Sequence, residues 1–343
     1  MMLSFHNDIK VKKKYLARVR RHSKLGNIVQ NRRWQDGKGG AVGCTLEHYD
    51  DERYPIELGL PIWLARLEEE IFYNLPVDEA KRWPEKFLKA IPVGVDTEIV
   101  RHQLAVRRMD RLIKLQEELL VKSDGDLKSV IKKTIAAINM VKTCHEAEFN
   151  KTECSVTFER ASSWASGAQQ EAQTFQRVML SAKVAKVGSE VKKHEELAVL
   201  WSAASAEMAA MATVWSAVRT PEEAAITQDA AAREQVWAVA AAARAEMAAR
   251  TKKFEAAETA KLRAVAVWAA AAISVEKATT GSTEAATIAA ESKTAAEATA
   301  RIATARAKMT VLLATIEEAA ARAEMAAWKQ ESKDLIELLS NLK

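Results

Sequence analysis

The chain has little of what most catalytic or secreted proteins are recognised by. Three cysteines in 343 residues, Cys44, Cys144 and Cys154, are an odd, sparse set that excludes a disulfide framework and points to a reducing compartment. Proline and glycine are also few, and they are unevenly placed: five of six prolines and eight of eleven glycines precede residue 155. The opening residues have no apolar h-region, so a secretory leader is not expected. The longest uncharged apolar run, Ala264 to Val275, is shorter than the roughly 20 residues a bilayer-spanning helix needs. Convincing strand alternation is missing too, apart from a small ribbon that could form around residues 27–46. The expected class is all-α, with no membrane segment, and the expected location is the cytoplasm.

What is abundant is alanine, with 55 of the 183 residues from 161 to 343. Alanine is the best helix former, and its small Cβ lets helix axes approach closely. Charge divides at the same place. Residues 161–343 are neutral, with 22 basic and 22 acidic residues, whereas residues 1–40 carry 11 basic and two acidic ones. The basic excess is an N-terminal property.

The C-terminal part reads as two helical fold-backs. Residues 158–218 mirror about Gly188, pairing Ala165 with Met211 and Phe175 with Trp201. Residues 221–343 mirror about residue 283, pairing Trp268 with Ala298, Phe254 with Leu312 and Met247 with Ala319. Large faces small in each layer, as an antiparallel seam requires. Gly188 and the run Thr279-Thr280-Gly281-Ser282-Thr283 supply the breaks, and Thr220-Pro221-Glu222-Glu223 has the composition of a helix start. The expected organisation is an α-rich globular domain over 1–155, a short hairpin over 156–220 and a long Ala-rich hairpin over 221–343. The tryptophans Trp201, Trp215, Trp237, Trp268 and Trp328 are expected as core knobs opposite alanine. In the N-terminal part helices are expected over 9–23, 62–73, 78–90, 96–121 and 127–149, with residues 26–43 as a loop.

Four features could carry chemistry. The turn Asp36-Gly37-Lys38-Gly39-Gly40-Ala41-Val42-Gly43 could let backbone approach an anion, although its order G-x-G-G-x-x-G fits neither a Rossmann fingerprint nor a P-loop. Cys44 and His48, spaced i,i+4, could form a nucleophile and base or share a metal, against a structural reading of Cys44 as a buried thiol. Cys144, His145 and Cys154 offer soft ligands without zinc-knuckle spacing. The basic segment, with Lys12, Lys13, Lys14, Arg20, Arg21, Arg32 and Arg33, could contact nucleic-acid phosphates, against a reading as a solvated or acid-partnered helix face. No cofactor is expected.

Several stretches resemble a family of uncharacterised proteins encoded by bacteriophages and bacteria. They are Ser4-Phe5-His6-Asn7-Asp8, Lys14 to Arg20, Gly37 to Thr45, Glu57-Leu58-Gly59-Leu60-Pro61 through Glu68, and Trp83-Pro84 through Ala90-Ile91-Pro92-Val93-Gly94. An Ala-rich helical region ending in the Leu-rich tail Asp334 to Leu339 is similar as well. The resemblance implies a phage or mobile-element context, hence a host-cell cytoplasm, and brings no activity or catalytic residue. Members often have Cys where this chain has Gly40, which weakens any paired-cysteine role. The functional expectation is a non-enzymatic interaction or scaffold protein that forms a homo-oligomer or binds a host protein. The alternatives are nucleic-acid binding through the basic helix and a small enzyme or metal domain at Cys44 and His48.

Overall fold

The computed structural model describes residues 2–30, 32–152, 157, 160–161, 163–168, 170, 190–218, 230–249, 311 and 314–343. The architecture is all-α, with one two-stranded ribbon among the described residues. Eight helices build the N-terminal half: α1 (Ile9–Lys24), α2 (Ala41–Leu46), α3 (Arg53–Leu58), α4 (Ile62–Asn74), α5 (Val77–Ala80), α6 (Trp83–Ala90), α7 (Glu98–Lys122) and α8 (Gly125–Asn150). They are followed by α9 (Glu190–Val218), α10 over residues 230–249 and α11 over 314–340.

Local chemistry explains the boundaries. The Asp8 carboxylate accepts from the Lys10 amide at 2.7 Å and starts α1. Arg21, His22 and Lys24 occupy its last turn, where cations favour the helix C-terminus. The single helix expected over 78–90 is two, α5 and α6. The chain breaks before Trp83-Pro84 because proline lacks the N–H a continuing helix would need and is at home in a first turn. The expected loop over 26–43 is also more structured. Strands β1 (Trp34–Gln35) and β2 (Lys38–Gly39) pair antiparallel, and α2 begins at Ala41.

Helices α7 and α8 form an antiparallel hairpin around Ser123 and Asp124, and α9 lies on α8. Ala161, Ala165 and Ala168 share a buried cluster with Ala206, Ala209, Ala210 and Met211. The alanines therefore close helix against helix, as composition suggests. Buried polar links tie three helices together: Gln116 of α7 donates to Ser202 of α9 at 3.1 Å, and Ser202 donates to the Ala238 carbonyl of α10 at 2.9 Å.

The described portions of the long fold-back run antiparallel. Arg244 pairs with Glu317 at 3.0 Å, and Arg111 bridges Gln235 and Glu331. Ascending α10 from 235 to 244 thus descends α11 from 331 to 317. The expected contacts Phe175–Trp201, Phe254–Leu312 and Trp268–Ala298 each involve a residue outside the described ones. At the root of this fold-back, Ala232, Val236, Trp328, Leu335 and Leu339 belong to the same buried cluster as Phe5, Trp63 and Phe72. The last helix is built into the N-terminal core.

Two tryptophans depart from the expectation of core knobs. Trp328 is buried, but Trp201 and Trp237 are 54 % and 50 % exposed. Both side chains line an open cleft between α9, α10 and α11 and so stay in contact with water.

Candidate functional site

The Gly-rich turn is filled by the protein itself. A Cβ on Gly39 or Gly43 would run into the Arg33 carbonyl, and one on Gly40 into the Glu69 carboxylate. Glu69, from α4, accepts the Val42 amide at 2.8 Å and further hydrogen bonds from Ala41 and Tyr73. The first turn of α2 is therefore filled by a carboxyl group of the chain's own, that of Glu69. Burial pushes the Glu69 carboxyl up to about 7. Beside it, Glu68 is completely buried and accepts from the Tyr54 hydroxyl, and burial raises its carboxyl well above the ordinary range.

This arrangement sets a pH dependence. A carboxyl raised from 4.5 to about 7 holds its proton more tightly folded than unfolded. Its contribution is complete below about pH 4.5 and disappears as pH rises through about 7, a change of about 3 kcal/mol. Glu69→Gln is expected to flatten the decline in urea-unfolding free energy between pH 5 and pH 8. An unchanged slope would show that Glu69 does not titrate in that window.

Cys44 and His48 do not form a pair. Cys44 is fully buried and its Sγ donates to the Gly39 carbonyl at 3.2 Å. Burial pushes the thiol up to about 12, so the nucleophilic thiolate is suppressed at neutral pH. His48 turns instead to Glu57 at 3.3 Å, a carboxylate that also receives the Tyr15 hydroxyl and Arg53. Cys144 and His145 are likewise buried. His145 Nδ1 lies 3.0 Å from His102 Nδ1, and burial lowers both imidazoles, His102 to about 4. Cys154 lies outside the described residues. Among the described residues no group of three or more His, Cys, Asp or Glu side chains is placed to hold a metal ion.

The basic segment is divided among internal tasks. Lys12 donates to the Lys89 and Ile91 carbonyls at the end of α6, and Arg18 to the Thr45 and Leu46 carbonyls at the end of α2. Both satisfy helix C-termini. Arg21 pairs with Glu47, Arg20 with Glu85 and Arg32 with Asp36. Arg33 lies over the Tyr49 ring at 4.6 Å and Lys14 over Tyr15 at 4.9 Å. Lys13 is exposed.

The segments around Ser4, Gly59 and Gly94 meet in space. Phe5, His6 and Asn7 all adopt left-handed φ values of 54°, 52° and 58°, a conformation costing about 1–2 kcal/mol per residue outside glycine. Burial of Phe5 and an anchored Ser4 oppose that cost. Ser4 donates to the Val95 carbonyl at 2.9 Å and to the Pro92 carbonyl at 2.7 Å, and accepts the Gly94 amide at 3.0 Å. Gly94 and Gly59 pack so closely on this turn that a Cβ on either would strike Asn7 or the Leu3 carbonyl.

Two further features escape a residue-by-residue reading. The first is an ionic seam between α7 and α11. Arg108 and Glu331, both fully buried, meet at 2.5 Å. Arg111 reaches Glu331 and Asp334, and Arg107 reaches Asp334 and Glu337. Burial pushes Glu331 up, but the two guanidiniums outweigh it and hold the carboxyl below its ordinary value. Its one sequence signal is complementary spacing, Arg at 107 and 111 against acids at 331, 334 and 337. The second is an open cleft of about 590 Å³ between α9, α10 and α11. Trp201 and Trp237 flank it, with Leu197, Met208, Ala241 and Ile316 in its walls and the Arg244–Glu317 pair on its rim.

No helix among the described residues is long and apolar enough to cross a membrane. Comparison with protein-family models, curated proteins and solved structures finds no match.

Proposed function

We propose that the chain is a non-enzymatic interaction protein of phage or bacterial origin that associates with a second copy of itself through its Ala-rich helices. The observation that carries this reading is the pair of half-exposed tryptophans, Trp201 and Trp237, on either side of an apolar cleft formed by three helices. Large aromatics are costly to leave in water and dominate the energetics of protein interfaces. A cleft between parallel-sided helices suits the apolar face of another helix. The residues that would have supported catalysis are committed elsewhere: Cys44 is a buried, protonated thiol, His48 serves Glu57, and the Gly-rich turn is filled by the Glu69 carboxyl.

Light scattering across a concentration series tests the proposal. The wild type is expected to be a defined oligomer in the micromolar range. Trp201→Glu and Trp237→Glu should each weaken association at least 30-fold, about 2 kcal/mol per lost anchor, while leaving helical content unchanged. A host protein in place of a second copy would appear as a monomer that captures one stoichiometric partner sensitive to the same substitutions. A monomer that captures nothing overturns the interaction reading.

A further inference from the structure

Helices α1 and α6 lie side by side in opposite directions. Lys12 donates to carbonyls at residues 89 and 91, whereas Arg20, two turns on, meets Glu85 at 2.8 Å. This packing aligns two basic stripes. On α1, Lys13, Arg20 and Lys24 follow i, i+7, i+11 spacing along one face, and all are exposed. Arg82, the residue that caps the start of α6, and Lys86 and Lys89 within it follow i, i+4, i+7 spacing and are exposed as well. Beside α6 opens a cleft of about 580 Å³, floored by Leu75 and Trp83 and closed by Ser332 of α11.

The local charge balance is strongly positive. Glu85 is shared by Arg20 and Lys89, Glu79 is met by Lys329 at 2.6 Å, and Asp78 by Lys81 at 3.9 Å. Those three acids face the six cations of the stripes together with Lys81 and Lys329. The surplus is held on rigid helices, in two rows. Lys13 to Lys24 extends about 16 Å and Arg82 to Lys89 about 10 Å at 1.5 Å per residue. Packed helix axes are about 8–10 Å apart, comparable to the roughly 6–12 Å widths of the grooves of a duplex, which two rows of phosphates border. An acidic peptide offers one row of charges and matches one stripe only.

We propose that the α1–α6 face is a site for the phosphate backbone of duplex nucleic acid, binding without regard to sequence. It is a different surface from the tryptophan cleft, and it moves the expected contacts away from Lys12, Lys14, Arg21 and Arg33, which serve the fold, toward α6.

The test is fluorescence anisotropy of a labelled 20-base-pair DNA duplex with the full chain at 50, 100 and 200 mM salt. With about five phosphates neutralised, affinity should fall about 500-fold across that range. The triple variant Arg82→Gln/Lys86→Gln/Lys89→Gln should bind at least 10-fold more weakly at 100 mM and lower the log–log salt slope by about 2.7. Lys14→Gln/Arg33→Gln, which removes charge from other faces, should bind as the wild type does. All five positions are exposed, and circular dichroism melts will confirm that each variant is folded. The proposal is overturned if the duplex gives no anisotropy change at 50 mM salt or if both variants lose affinity equally. Displacement of the duplex by polyglutamate at lower concentration than by unlabelled duplex overturns it too, as does binding to vesicles of anionic phospholipid but not to nucleic acid.

Discussion

Glu331→Ala is expected to lower the unfolding free energy by about 3–5 kcal/mol, because it leaves the fully buried Arg108 guanidinium without its carboxylate. The loss is larger than the pair's net worth. Desolvating both ions costs several kcal/mol, and their attraction in the interior offsets that cost only while both are present. Two companion measurements separate these effects. The double variant Arg108→Met/Glu331→Leu should recover most of the loss, since a pair of apolar side chains of similar volume imposes no charge-burial cost. Acid should reproduce the single variant in part: Glu331 is held below its ordinary value, so its contribution is present above about pH 4.5 and is lost as pH falls through its folded value. Urea titration of the three chains checks this. A single variant within 1 kcal/mol of the wild type would mean that water or a neighbouring acid already solvates Arg108.

Trp328→Ala is expected to cost about 3–5 kcal/mol, the range for a buried tryptophan whose cavity cannot fully collapse. The location matters more than the size. Trp328 lies on the last helix yet shares a cluster with Phe5, Trp63 and Phe72. If that cluster is one cooperative unit, fluorescence of the N-terminal tryptophans and far-ultraviolet dichroism should lose structure at the same, lowered urea midpoint. Dichroism falling first, with N-terminal fluorescence unchanged, would show that the C-terminal helices melt independently and that the contact contributes little.

Much of the fold could be read from the sequence because its signals are local. Helices α1, α4, α7 and α8 follow the expected spans closely, since apolar spacing acts within a few residues. The short helices α2 and α3 were hidden, being too brief to show a period and stabilised by distant groups: α2 by Glu69 at one end and Arg18 at the other. The site was legible only in kind. Glycines at 39, 40 and 43 announce a close approach, but not that the approaching groups are the Arg33 carbonyl and the Glu69 carboxylate. Cys44 with His48 suggested a pair by spacing, but an i,i+4 relation holds only within a continuous helix. Glu47 follows α2 with a left-handed φ of 62°, and that turn separates the two side chains.

Composition and periodicity by themselves determined the all-α class, the Ala-rich helices of the C-terminal part and the concentration of positive charge near the start of the chain. These are sums over neighbouring residues. Tertiary structure alone decided which charges are spent inside and which face water, where Trp201 and Trp237 point, and that Trp328 and Glu331 close onto a core and an arginine seam more than 200 residues away. Burial and long-range pairing are properties of which surfaces meet, and no local window of sequence contains them.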